Sequence, residues 1–160
     1  RRRYPGEEVR FLDLEAPKSP ANGPFDIVHC YGVLYHLGAP DVALEFLSAQ
    51  CRRLLRSQTR VSVCSEEATN FLPEDSKIPS LSVSGTGCRP TRSWVFGALK
   101  EYFEFVYVPR TQPCHEDFPI DWGQRGPDAD SARAVFVASR NALDNPALSS
   151  RLLHHQDRQL

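Results

Sequence analysis

The 160-residue sequence contains no methionine, not even an initiator, and it opens on Arg1-Arg2-Arg3-Tyr4-Pro5. The plain inference is a piece of a longer product. No apolar run is long enough to cross a bilayer. The arginine triplet is followed by Tyr-Pro-Gly-Glu-Glu rather than an apolar core, so no signal peptide is recognisable. No excess of either charge exists: formal net charge is −1 with 24% charged residues. That balance lacks the electrostatic footprint of a nucleic-acid surface, and neither a nucleic acid nor a membrane is expected as a partner. No C-x-x-C pair occurs among the five cysteines (Cys30, Cys51, Cys64, Cys88 and Cys114), whose number is odd and whose spacing is wide. A zinc or redox pair therefore has no local support, and free thiols in a reducing, cytoplasmic setting are expected. Internal repeats and low-complexity tracts are absent.

What is present is ordinary globular composition, 41% hydrophobic, in a chain long enough for one real core. The stretch around which it is organised is Phe25–Leu37, FDIVHCYGVLYHL. An aspartate precedes a short apolar run, which breaks at Tyr31-Gly32 and ends in His36 before a helix start. An unalternating apolar run closed by turn residues suits a buried strand of a parallel sheet. Ligands of open α/β sheets bind just past the carboxyl ends of such strands, so Tyr31, Gly32 and His36 fall where a ligand would sit.

Taken in order, Val9–Glu15 alternates in part and predicts a short strand. Ala16–Pro24, with three prolines and Asn-Gly, predicts a loop. After strand Phe25–Cys30, Pro40 and Asp41 suit a first helical turn. Val42, Leu44, Phe46, Leu47, Cys51, Leu54 and Leu55 recur at helical spacing and predict one amphipathic helix. Arg60–Ser65 reads as a strand, and Ala68–Pro90 as a long loop or cover. Thr91–Phe103 predicts a helix with Thr91 as N-cap, followed by strand Phe105–Val108, an irregular stretch 111–130, and strand Ala132–Ser139. Residues 141–160 read as a short helix and loose tail. Alternating strands and helices argue for a doubly wound, Rossmann-like α/β fold with a mostly parallel sheet. The last two strands, joined without a helix, pair as an antiparallel edge.

Several side chains carry chemistry, each beside a plainer reading. Asp13 is either an acceptor for an exocyclic amine or a solvated loop carboxylate, with Glu15 the weaker alternative. Gly32 either permits close backbone approach or serves an ordinary turn. His36 is either a general base or a structural cap on its loop. Glu66 and Glu67 are strand-end acids or solvated. Arg89 and Arg92 flank a helix N-terminus beside Thr91, where an anion is favoured, or they pair with nearby acids. Gln112, His115, Asp121 and Trp122 lie on a loop that suits an acceptor pocket. His115-Glu116-Asp117 are adjacent and cannot easily all face one ion, so no metal site is expected. His154 and His155 read as solvated.

The Phe25–Leu37 stretch also resembles the fourth-strand motif of class I S-adenosylmethionine (SAM) dependent methyltransferases, type 11-like. The run Arg89-Pro-Thr-Arg-Ser-Trp-Val95, with Val106–His115 and Phe118–Trp122, is similar to segments of one bacterial group of these enzymes. The resemblance implies SAM as cofactor. It assigns Asp13 to the adenine amino group, Leu14 to the ring through its backbone amide, and Tyr31 and Gly32 to the methionine half. His36 stands at the mouth of the site as the candidate catalytic residue. Arg89, Arg92, Gln112, His115 and Trp122 fall on the side of a small-molecule acceptor.

The family's first strand with its Asp/Glu-x-Gly-x-Gly turn and its second-strand acid do not occur here, and Arg56–Arg60 replaces the usual Pro-Gly-Gly turn. The expectation is therefore the C-terminal part of such a domain over residues 1–140, its N-terminal half incomplete, then a helix or tail over 141–160. In a complete chain the reaction is methyl transfer to an O, N or C nucleophile; this piece alone is expected not to turn over. Two other readings stand: a degenerate, non-catalytic module that binds a partner through its Pro-rich loops, and a different doubly wound enzyme, such as one acting on nucleotide sugars. SAM affinity separates the first reading from both.

Overall fold

Pro40 has no amide hydrogen, and a first helical turn does not need one. It opens α1 (Pro40–Ala49), with Asp41 in the first turn facing the positive end of the dipole. The computed structural model describes residues 10–18, 23–63, 66–78, 80–123 and 132–159. In it α1 follows β1 (Phe25–Tyr31) and a single 3-10 turn (Leu34–His36), and leads into β2 (Cys51–Arg60). Then come β3 (Phe71–Pro73), β4 (Thr86–Cys88), α2 (Arg92–Tyr102), β5 (Phe105–Pro109), β6 (Thr111–Gln112), β7 (Arg133–Ser139), β8 (Leu148–Ser149) and β9 (Asp157–Arg158). No helix among the described residues is long and apolar enough to cross a membrane.

The main sheet has the order β1-β2-β7-β5-β8. β1 pairs parallel with β2, while β7 runs antiparallel to both β2 and β5. Thus β1, β2 and β5 point one way and β7 and β8 the other, giving the expected Rossmann-like α/β sheet with an antiparallel last long strand. β7 is not at the edge, however. It is inserted between β2 and β5, and β8 lies beyond β5.

The two helices contact each other and pack on this sheet. α1 buries Pro40, Ala43, Leu44, Leu47 and Ser48, one stripe at helical spacing. α2 buries Arg92, Val95, Phe96 and Leu99, and Thr91 caps it by accepting from the Trp94 amide at 3.2 Å. Cys30, Leu55, Phe136, Ala138, Val106 and Val108 complete the core. Arg140 ties the far end together. Its guanidinium donates to the carbonyls of Tyr102, Ser48 (2.8 Å) and Cys51 (3.4 Å), and lies 4.3 Å from the Phe103 ring centre. One cation so caps the ends of both helices and the start of β2.

Four expectations need correction. The helix does not run on to Leu55: Gln50 closes it, and Cys51 begins β2. Leu54 and Leu55 keep the helical period with Leu47, but pairing on both edges of β2 outweighs that period. The strand expected at Arg60–Ser65 therefore lies earlier, over Cys51–Arg60; Cys64 and Ser65, like residues 1–9, are outside the described residues. Residues 10–15 form no strand, and Phe11 is 95% exposed. Finally, β1 was expected to be buried, yet only Cys30 is. No described strand lies on its outer edge, and on the face away from the helices Ile27 and Tyr31 remain half-exposed.

The long cover 68–90 contains the β3–β4 ribbon. The tail forms no helix among the described residues. β8 pairs with β5 and β9 with β6, and Leu143 donates its amide to Tyr107 Oη at 3.0 Å.

Because the Arg140 head satisfies three carbonyls at once, Arg140→Ala should lower unfolding stability by about 2–4 kcal/mol. Urea denaturation with an unchanged m-value is the expected result.

Candidate functional site

The site forms where β1 ends. Tyr31 is the last residue of the strand, and Gly32 turns the chain with φ of 72°, a region open to glycine at no steric cost. Its amide donates to Gln58 O at 3.0 Å, which fastens the turn to the parallel neighbour. Nothing lies within 4 Å of where a Gly32 Cβ would stand. The following 3-10 turn carries His36, and Leu37 and Gly38 lead into α1.

Opposite this turn lie two segments from elsewhere in the chain, 11–15 and 80–83. Together they enclose a cleft of about 350 Å³. Asp13, Leu14, Gly32 and His36 line it, with Leu81 and Val83 as apolar walls. Glu15 pins the segments together: its Oε1 accepts from the Gly38 amide at 2.5 Å and from Ser84 Oγ at 3.1 Å. Asp13 is the freer acid. Among the described residues its Oδ1 accepts only a local bond, from the Glu15 amide at 2.9 Å, and it remains at the surface of the cleft.

Behind His36 sits a residue that sequence reasoning passed over. Glu74 follows β3, and its side chain is 4% exposed. Oε2 lies 2.7 Å from His36 Nδ1 and accepts from the Ser82 amide at 2.8 Å. Arg89 Nη1 is 3.8 Å from Oε1, and it donates to Cys88 O at 2.7 Å and Tyr35 O at 3.3 Å. The Arg89 head also lies 5.3 Å from the Tyr35 ring centre. Gly87 makes room for this carboxylate: a Cβ there would come within 2.6 Å of Glu74 Cδ and 2.9 Å of Tyr35 O. Glu74 had no signal of its own, being one acid in an irregular stretch. Only Gly87, bare in the opposite strand of the ribbon, hints at a close approach.

Of the residues expected to hold a cofactor, Asp13, Leu14 and Gly32 meet in the cleft with His36. Tyr31 does not. It stands on the open face of the sheet, its ring 5.7 Å from His29 and 5.7 Å from the Arg56 guanidinium. Of the acceptor-side residues, only Arg89 is near, as a partner of Glu74. Arg92 is 3.8 Å from the Trp122 ring centre and donates to Leu153 O at 3.0 Å. Burial pushes its guanidinium down to about 9, which leaves it charged at neutral pH. Trp122 Nε1 donates to Gln156 Oε1 at 2.6 Å, and Gln112 Nε2 to the same oxygen at 3.1 Å. Arg92, Gln112 and Trp122 thus tie the C-terminal tail to the 111–123 loop, away from the cleft. His115 is exposed and accepts the Asp117 amide at 3.2 Å. Among the described residues three cysteines are buried, and burial raises the Cys30 thiol to about 11 and Cys88 to about 12, which makes both inert. Among the described residues no three His, Cys, Asp or Glu side chains gather to hold a metal ion.

The cleft therefore offers an acid and a backbone edge at one side, apolar walls, an open glycine turn, and an imidazole. No family model matches the chain, and no curated protein sequence matches it. Its fold is similar to two solved structures of the N-terminal domain of EvdMO1, one in the presence of SAH and D-fucose and one with SAH bound. Both superpose with a TM-score of 0.62 at 22% identity over 82% of this chain. The matched region is 54% of the first chain and 53% of the second, so this chain spans about half their length.

The packing around Gly87 can be tested against a helical control. Gly87→Ala should displace the Glu74 carboxylate and cost about 1–3 kcal/mol. Gly97→Ala, whose Cβ would meet nothing closer than 3.9 Å inside α2, should stabilise by up to ~1 kcal/mol. Thermal melts of the pair give the comparison.

Proposed function

We propose that this chain binds SAM in the cleft past β1 and serves methyl transfer to a small-molecule acceptor, as a type 11-like methyltransferase. The observation that carries this reading is the meeting of Asp13, Leu14, Gly32 and His36, from separate segments, around one cavity at the carboxyl end of a parallel strand. The likeness in fold to a domain that binds SAH, the demethylated form of SAM, supports it.

The residues present fit the adenosyl part of such a group. Asp13 is a free acceptor for an amine, Leu14, Leu81 and Val83 supply apolar walls, and Gly32 leaves its backbone open. Bound there, SAM supplies an electrophilic methyl whose leaving group is a neutral thioether. The protein's own work is then positioning and proton handling. His36, at the cleft wall, takes the acceptor's proton. The acceptor we favour carries a hydroxyl, because a hydroxyl must lose its proton and the cleft has a base; the neighbour's sugar, D-fucose, is of that class.

A second reading, a partner-binding module, is favoured by the half-exposed Phe25, Ile27 and Tyr31 on β1. Binding of SAH separates the two. Calorimetry should show saturable SAH binding, weakened about 10-fold by Asp13→Ala, as the loss of one hydrogen bond predicts, and unchanged by His115→Ala. Absence of any SAH binding would remove the methyltransferase reading and leave the partner module.

A further inference from the structure

Among the described residues, the polar groups that touch the Glu74 carboxylate are donors or cations: the Ser82 amide, the Arg89 guanidinium and the His36 ring. That set suits the ionised acid, which can only accept. The hydrogen of a neutral His36 ring must then sit on Nδ1, where the 2.7 Å contact is. The other nitrogen, Nε2, makes no hydrogen bond among the described residues, and His36 is one of the residues that line the cleft. The ring is also fixed sideways, its centre 4.0 Å from that of Tyr35.

From this geometry we infer that Glu74 is a positioning residue, which locks His36 in the Nδ1–H tautomer and leaves Nε2 as the proton acceptor toward the cleft. Its catalytic consequence rests on the methyl-transfer reading; the tautomer itself does not. In the step it serves, the acceptor's O–H bond breaks, its electron pair stays on oxygen, and the proton moves to Nε2. The imidazolium that forms faces a desolvated carboxylate, where the attraction is strong. Ser82 and Arg89 hold that carboxylate from behind, so closing segment 80–83 over the cleft and orienting the base depend on the same two oxygens.

The test is nitrogen-15 NMR of the histidine rings, with His36 assigned by its loss in His36→Gln. The free protein should show His36 protonated at Nδ1 and bare at Nε2. Glu74→Gln, which keeps an acceptor oxygen, should retain that tautomer. Glu74→Leu should shift it toward Nε2–H. A merely structural Glu74 would loosen segment 80–83 and weaken SAH binding in Glu74→Leu while leaving the His36 tautomer unchanged. The inference is overturned by a wild-type ring protonated at Nε2 or by an unchanged tautomer in Glu74→Leu. If Glu74→Leu does not fold, the wild-type and Glu74→Gln spectra decide. If SAH fails to bind, the cofactor reading is lost, while the ring spectrum still rules on Glu74.

Discussion

Backbone hydrogen bonding along β2 is the constraint from which the rest follows. This ten-residue strand is paired on both edges, parallel to β1 on one side and antiparallel to β7 over seven residue pairs on the other. Buried amides and carbonyls left without partners are costly, so β2 holds its neighbours in register. The parallel pairing has a geometric result. The carboxyl ends of β1 and β2 emerge on the same side, and Gly32 is tied there to Gln58. The crossover between them is closed at its other end, where the Phe25 amide donates to Gln50 O at 2.7 Å. The cleft is thus a by-product of sheet pairing, floored by a turn that cannot move independently of β2.

The cover over that floor is held by polar contacts rather than by core packing. Segment 71–90 presses one nearly dry carboxylate, Glu74, against His36, Ser82 and Arg89. A buried acid without partners would be strongly unfavourable, so the cover, the 3-10 turn and His36 form one unit. The other buried charge is handled differently. Among the described residues Arg92 meets no carboxylate in its hydrogen bonds; it stacks on Trp122 and donates to Leu153 O. A guanidinium tolerates this through its planar face and weak hydration. The first arrangement orients a ring at the cleft; the second ties down the tail.

Much of the fold was legible in the residues. Thr91 announced the start of α2, Pro109 the end of β5, and the apolar run 132–139 the strand β7. The boundary between α1 and β2 was hidden, because Leu54 and Leu55 extend the spacing of Leu44 and Leu47, and a period cannot report a partner strand. In the site, Gly32 and His36 were placed by the turn after an apolar run, whereas Asp13 and Leu14 were singled out through the family resemblance, at the end of a strand that does not form. Arg92, Gln112 and Trp122 could not be placed by type alone. Polar and aromatic residues on a long loop line a pocket or satisfy a buried tail equally well, and Gln156, forty-four positions from Gln112, decides for the tail.

By itself the sequence determined what is local. Helical stripes, caps, turn glycines and the apolar strand FDIVHCY follow from the spacing of side chains along one stretch of chain. Tertiary structure decided what depends on distant pairing. The insertion of β7 between β2 and β5 is one case. The burial of Glu74 against His36, thirty-eight residues away, is another. The physical reason is the same in both. Backbone edges and buried charges are settled by the partner that arrives from elsewhere in the chain, and no local pattern encodes that arrival.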